Sequence, residues 1–448
     1  KIENVNLEIT FEDTLKIENI RKNAIKNGLL PESSLMPQVK TNISFNDKKF
    51  RGDIRLKGDR KIHFENKNKS SYRIELDRNQ YIMGMKKFSI QKPRVRNYIH
   101  EWIFHELAGD LDIIKIKYEF VNLSINGEDK GLYVLEEGFG KELIERNERR
   151  NGPIFGLDED ISFGYKDPVF EIYNKKYWNS DENFFLAGIA SQKLRDFFRG
   201  KVELNEIFDL EKWAAFFAVM DMSQNYHGAF LQSVKFYYNP LNGLFEPIAF
   251  DGHRFKHNYN KYHLNYDNRL LFDFVEESLE EESDQFSWIQ NFFYKDDKLN
   301  QNFYNLYADN LNKISSESFI NKFLSKNLKK IEEINSHIYA DYFWFDNLAN
   351  YGVGIYYFLL DDFLYQASNI QKKLKLQRKI QVLQENQSKF LVKQFYKNYG
   401  FSFVDKIICN NKSNEIIEVK IDQNLNNFSD TIINLPNKLE ENTKCGRI

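Results

Sequence analysis

Apolar residues alternate one-in-two from Gln38 to Ile90, in the short runs VKTNISF, FRGDIRLKG, SSYRIELD and KKFSIQ, but follow a helical period over most of the chain beyond Gly152. An alternating run buries one face of a strand, and the Asn-, Asp- and Gly-bearing breaks between these runs suit antiparallel turns. The first region therefore predicts a small sheet, the second a helical body, and the chain as a whole an α+β fold.

The details extend this division. LEITF followed by Leu15, Ile17, Ile20, Ala24 and Ile25 predicts a strand and then a helix that Gly28 and Pro31 stop. NYIHEWIFHELAGDL places Trp102, Ile103, Leu107 and Leu111 on one helical face, and YEFVNLSINGEDKGLYVLEEG predicts two strands around the Asn126-Gly127 turn. Helices are expected at FFLAGIASQKLRDFF and VELNEIFDLEKWAAFFAVMDMSQ, a hairpin at VKFYYNPLNGLFEPIAFDG, and helical structure again from Trp288 to Leu383. After Phe401 the runs FVDKIICNN and NEIIEVKID predict a β appendix. This gives three regions: a β-rich 1–150, a mainly helical 151–395 holding a hairpin near 221–255, and a β segment 396–448.

Composition limits function more than fold. At 448 residues two or three domains are expected, and 40 Phe with 25 Tyr is too much apolar surface for a disordered chain. A net charge of -2 provides no general field for nucleic acid, so any anion site is local. No stretch approaches the roughly 20 apolar residues of a membrane span; the nearest, Leu348 to Leu360, contains Asn350 and two glycines. The start at Lys1, with no basic-then-apolar leader, leaves open an upstream signal or anchor. Cys409 and Cys445 are too few for a disulfide framework or zinc cluster and read as two thiols, a single bridge being the alternative.

No HExxH, GxSxG or Walker-type spacing occurs. Unusual polar residues concentrate instead between Asp221 and Asp251. A helix that buries Trp213, Phe216, Phe217 and Val219 would bring Asp221, Gln224, Asn225 and His227 to its exit, and the strand FEPIAF would end at Asp251. Phosphoryl transfer needs a carboxylate holding a divalent metal, a neutral oxygen ligand and a group orienting the acceptor, and Asp251 is the first metal candidate. The competing reading is an ordinary Asp-Gly turn with a core histidine at His227. Arg55, Lys57, Lys69 and Arg73 recur on strand-like segments, where a cation could face phosphates or simply water, and Glu136 and Glu137 could pair with such a lysine.

Taken in order, FRGDIRLKGD, NKSSYRIELD, MKKFSIQKPRVRNYIHEW, YEFVNLSINGEDKGLYVLEEGFGKELIE, RRNGPIFGLDED and FYYNPLNGLFEPIAFDG resemble the CotH family of spore-coat-protein-H-like atypical kinases. The resemblance spans roughly residues 7 to 260. It implies a divergent protein-kinase-like fold of two lobes, with ATP and Mg²⁺ or Mn²⁺ between them, and a protein Ser or Thr as acceptor. It implies that Lys69 contacts phosphate, that Lys57 belongs to the same nucleotide site, that Glu136 orients the lysine, and that Asp251 binds metal. Asp221 and His227 fall in the catalytic-loop region. An asparagine expected as second metal ligand is replaced by Gln232-Ser233, which makes Ser233 the candidate, and His253 stands where the commoner pattern has an acidic residue. Adenylyl transfer, ATP-driven glutamate ligation, and a nucleotide-binding pseudokinase are the alternatives on the same site. Members of the family are often exported or surface-associated, which is the expectation for location.

Overall fold

The computed structural model describes residues 2–31, 36–58, 61–158, 167–253, 268–279, 286–295, 298–342 and 357–374, and the backbone of five later strands between 380 and 438. Cys445, like most of the Leu348–Leu360 stretch, lies outside these residues.

Strand β1 (Glu3–Glu8) leads into helix α1 (Phe11–Asn27), which Thr10 caps by accepting from the Asp13 amide and Gly28 ends in the left-handed region at φ 87°. The hairpin strands follow: β2 (Val39–Phe45), β3 (Lys48–Leu56), β4 (Tyr72–Leu76) and β5 (Lys87–Gln91). Helix α2 (Ile99–Asp110) and the short β6 (Ile114–Lys115) separate them from β7 (Tyr118–Ile125) and β8 (Glu128–Glu137). Asn126 and Gly127 both take positive φ at the turn between the last two, as their residue types predict.

These strands do not form one open lobe. They close into a seven-stranded barrel in the order β1-β2-β3-β4-β5-β8-β7, because β1 also pairs in parallel with β7, from Glu3 opposite Val121 to Leu7 opposite Ile125. The Asn126 side chain accepts from the Ile9 amide at 2.8 Å and fixes that seam. The expectation of a divergent kinase-like two-lobed fold is thereby corrected: the N-terminal region is a closed barrel, within a molecule that remains α+β. Its interior holds Val5, Leu7, Ile43, Ile54, Ile74, Ile90, Val121, Leu123 and Leu135, the inward half of each alternating run.

A second sheet has the order β10-β9-β11-β12-β6, with β9 (Ile154–Leu157), β10 (Phe170–Ile172), β11 (Lys235–Asn239) and β12 (Leu244–Ala249). Its β12 runs parallel to β6, Ile248 opposite Ile114, so the chain leaving β12 arrives beside the barrel. Short helix α3 (Lys141–Arg146) follows β8, and α4 (Phe184–Phe198) leads to the central α5 (Leu210–Ser223), buried on every side from Trp213 onward. Helices α6 (Leu271–Ser278), α7 (Gln301–Ile314), α8 (Glu317–Tyr342) and α9 (Leu360–Leu374) complete the body. Ile99, Phe104 and Leu107 of α2 share one aromatic-rich core with Trp213, Phe217, Phe292 and Phe303, which joins barrel and helices.

The helical pattern expected to run to Leu383 fails at its end, the last described helix being α9. Ile380–Asn386 is instead a strand, β13, paired with β14 (Lys389–Gln394). A three-stranded sheet follows, β15 (Phe403–Asn410), β16 (Glu415–Asp422) and β17 (Thr431–Lys438).

Candidate functional site

A cavity of about 950 Å³ lies where the open end of the barrel meets the second sheet. Lys57, Lys61, Arg73, Lys87, Arg96 and Lys235 line it with four carboxylates, Glu136, Glu137, Glu171 and Asp251, an excess of cations suited to a polyanion.

Its floor is a chain of alternating charges. Lys57, next after β3, meets Glu136 of β8 in a short buried ion pair, and its ammonium also donates to Gln91 Oε1 at 2.7 Å. Gln91 returns its amide to the second oxygen of Glu136 at 2.6 Å. That oxygen also accepts from Arg96 Nε at 3.3 Å, while Arg96 Nη1 reaches Asp251 Oδ1 at 2.5 Å. Burial would raise the Glu136 carboxyl, but Lys57 and Arg96 outweigh it and hold the group down to about 2. Burial pushes the Lys57 ammonium down to about 8 against the pull of Glu136. Asp251 is likewise opposed by burial and still held well below the usual carboxylate range by Arg96, His253 and His227.

Asp251 follows β12 at a positive φ of 54°, with the Gly252 amide donating to Glu101 Oε1 at 3.3 Å. A Cβ on Gly252 would lie 2.6 Å from the Phe104 ring, and one on Gly228 would lie 2.8 Å from the Phe250 carbonyl. Both glycines are therefore required for the two loops to meet. Around Asp251, His253 Nδ1 is 2.9 Å from Oδ1 and Ser233 donates to Oδ2 at 3.3 Å. His227 Nδ1 is 3.1 Å from both the Asp251 carbonyl and Ser233 Oγ. A carbonyl only accepts, so Nδ1 of His227 carries the proton and Nε2 the lone pair. Burial lowers this imidazole to about 4 despite Asp251, which makes it neutral at pH 7.

The structure thus brings together Lys57, Glu136, Asp251, Ser233 and His227. It does not bring Lys69 to the cavity: its ammonium pairs with Asp341 of α8 and lies 5.5 Å from the Tyr133 ring centre, so Glu136 orients Lys57 rather than Lys69. Nor does it bring Asp221, which is fully buried in the helical core, accepting from Tyr307 at 2.5 Å, Tyr226 at 3.0 Å and the Leu271 amide at 2.6 Å. Burial raises Asp221 to about 7 and places it with the packing of α5, not with the cleft. Gln224 and Asn225 are buried beside it, the latter donating to the His100 carbonyl at 3.0 Å.

Arg96 is the residue the sequence reading missed. The signal was present in KPRVRN, where Pro93 opens a 3-10 turn (Pro93–Arg96) and Asn97 ends it at φ 54°. That turn presents one arginine between two carboxylates, but nothing in the run itself names them.

Barrel, second sheet and helical body together define an α+β protein with a cation-rich cleft and a carboxylate-centred cluster at its floor. This chain belongs to the CotH kinase protein family, whose model matches residues 49–384. It is 24% identical over 218 residues to the Inner spore coat protein H of Bacillus subtilis (strain 168), a match covering 46% of this chain. The chain spans 59% of the length of that curated relative.

Proposed function

We propose that this protein is an ATP- and divalent-metal-dependent phosphotransferase that acts on Ser or Thr of a polypeptide. The observation that carries the reading is the buried Lys57–Glu136–Arg96–Asp251 chain on the floor of a cation-rich cavity. Ion pairs this buried are costly to keep for stability alone, and they hold each charge in one position. Membership of a family described as CotH kinase protein supports the same reaction class.

In this reading Lys57, oriented by Glu136 and Gln91, contacts phosphate oxygens, and Arg73 and Lys87 add charge along the wall. The donor set around Asp251, one carboxylate with the Ser233 hydroxyl and two imidazoles, fits a divalent ion. When bound, such an ion would neutralise phosphate charge as the terminal phosphoryl group passes to the acceptor hydroxyl. A second cleft of about 800 Å³ shares Lys87, Glu137 and Phe139 with the first, and we place the polypeptide acceptor there.

The test is calorimetric ATP binding to the full chain with and without Mg²⁺ or Mn²⁺, beside Asp251→Asn, followed by intact-mass analysis of acceptor proteins. Metal-dependent binding lost in the variant, with phosphate added to an acceptor, is expected. No ATP binding by the folded wild-type chain would overturn the reading, and added AMP or glutamate in place of phosphate would redirect it to those transfers. A second reading, nucleotide binding without turnover, is favoured by one observation: Asp221 is sequestered 0% exposed in the core, so no carboxylate of the catalytic-loop region reaches the cleft. Binding with no product across acceptors is its signature. The name of the Bacillus subtilis relative supports a coat- or surface-associated location.

A further inference from the structure

His227 and His253 stack face to face beside the Asp251 carboxylate, their ring centres 3.8 Å apart and their planes 26° from parallel. One nitrogen of each ring and one oxygen of Asp251 lie within 4.8 Å of one another, and Ser233 Oγ is 3.3 Å from Asp251 Oδ2. Ligands around an ion with bonds of about 2.0–2.2 Å stand roughly 3 to 4 Å apart, so side-chain movements of about 1 Å would close this set on a cation. The Asp251 carbonyl takes the Nδ1 proton of His227, the outer hydrogen bond that leaves the opposite nitrogen of a metal-binding histidine basic and fixed in direction.

We propose that His227, His253 and Asp251 form a nitrogen-rich site for a first-row transition ion, Zn²⁺ before Mn²⁺, and that Mg²⁺ is a poor occupant. The inference rests on the reading of Asp251 as a metal carboxylate, and it holds whichever group is transferred.

Two physical points separate the ions. Magnesium demands oxygen ligands in near-ideal octahedral array, and imidazole suits Zn²⁺ and the later first-row ions. Arg96 already pairs with Asp251 at 2.5 Å, and Lys235 stands 5.4 Å from the centre of the neighbouring Phe250 ring. An ion held only by attraction to a carboxylate gains little beside these cations. An ion that bonds to imidazole nitrogen keeps most of its binding energy. His227 is then a metal ligand, and the histidine standing in place of an acid at 253 changes which metal is taken.

The test needs no nucleotide. The full chain, stripped with a chelator, is titrated with Mg²⁺, Mn²⁺ and Zn²⁺ by calorimetry, and the Mn²⁺-loaded protein is examined by pulsed electron paramagnetic resonance for nitrogen couplings. We expect Zn²⁺ to bind more tightly than Mn²⁺, Mg²⁺ to bind at least about 10-fold more weakly than Mn²⁺, and imidazole nitrogen couplings that His253→Asp and His227→Asn each reduce. His253→Asp should also weaken Zn²⁺ by about 10- to 100-fold and strengthen Mg²⁺. An oxygen-only Mn²⁺ sphere in the wild type, or Mg²⁺ binding as tightly as Mn²⁺, would overturn the inference even if neither variant folds. Metal-dependent ATP binding with an oxygen-only sphere would leave the phosphotransferase reading standing and remove this one. Nitrogen-coupled metal with no ATP binding would do the reverse.

Discussion

Glu136 accepts from Lys57, Gln91 and Arg96 at once and is buried, so its worth is shared among partners that cannot be satisfied without it. Removing one member of such a set strands a buried charge, which costs about 3–5 kcal/mol, more than the set contributes over an apolar replacement of both. Glu136→Ala should therefore lower stability by about 3 kcal/mol, and Lys57→Met combined with Glu136→Leu should cost less than Glu136→Ala alone. Chemical denaturation midpoints check this; a double variant as unstable as the sum of its parts would show that the two residues are not coupled. Ser233 came only through the resemblance to the family, whereas Asp251 was legible as the end of the strand FEPIAF and Glu136 as one of two acids at the end of another strand. Arg96 was not, and neither was the exchange of Lys69 for Lys57. An ion pair joining residues 79 positions apart leaves no trace in local periodicity, and only the barrel's closure decides which lysine meets the glutamate.

At the level of elements, helix α5 shows why a polar residue at a helix exit is not thereby functional. Its run WAAFFAVM was legible as a buried helix, and Asp221 follows at the last turn, where the catalytic-loop region was the expectation. Tyr307 of α7 and the amide at the start of α6 reach it instead, since three helices converge there. Burial raises its folded pKa from 3.8 to about 7. A raised acid gives stability that is fully present below the unfolded pKa and is lost as pH rises through the folded one. Stability should fall between about pH 4 and pH 7 on this account, and Asp221→Asn should flatten that slope without touching metal or nucleotide binding. Thermal melts of both proteins across that range decide it; an unchanged slope would mean another group carries the titration. The strand β13 was misjudged for a related reason. Val382 and Leu383 are adjacent, so QVLQ fits a helix face as well as a strand, and the partner strand Lys389–Gln394 settles the matter.

Across the whole molecule, barrel and helical body are held by a buried core that α2 enters from the barrel side and by a polar clasp at the far end of α8. Asp341 accepts from the Leu132 amide at 3.0 Å with one oxygen and pairs with Lys69 through the other. Gly131, at φ 75°, makes this possible, because a Cβ there would lie 2.1 Å from the Asp341 carboxylate. Neither contact was legible: they join residues 209 and 272 positions apart, and the barrel's parallel seam between β1 and β7 is equally non-local. The alternating runs, by contrast, determine the strands wherever they end up, which is why the sheet was foreseen and its closure was not. If the clasp ties α8 to the barrel, Asp341→Ala should cost about 1–3 kcal/mol by leaving the Leu132 amide and the Lys69 ammonium without their carboxylate. Hydrogen exchange should then rise at the start of β8 and over the last turns of α8, while α5 and its aromatic neighbours stay protected. Gly131→Ala should give the same local pattern, since its side chain displaces the carboxylate from the opposite direction. Uniform loss of protection through α5 in either variant would instead make the clasp part of one cooperative fold, with barrel and helices unable to open separately.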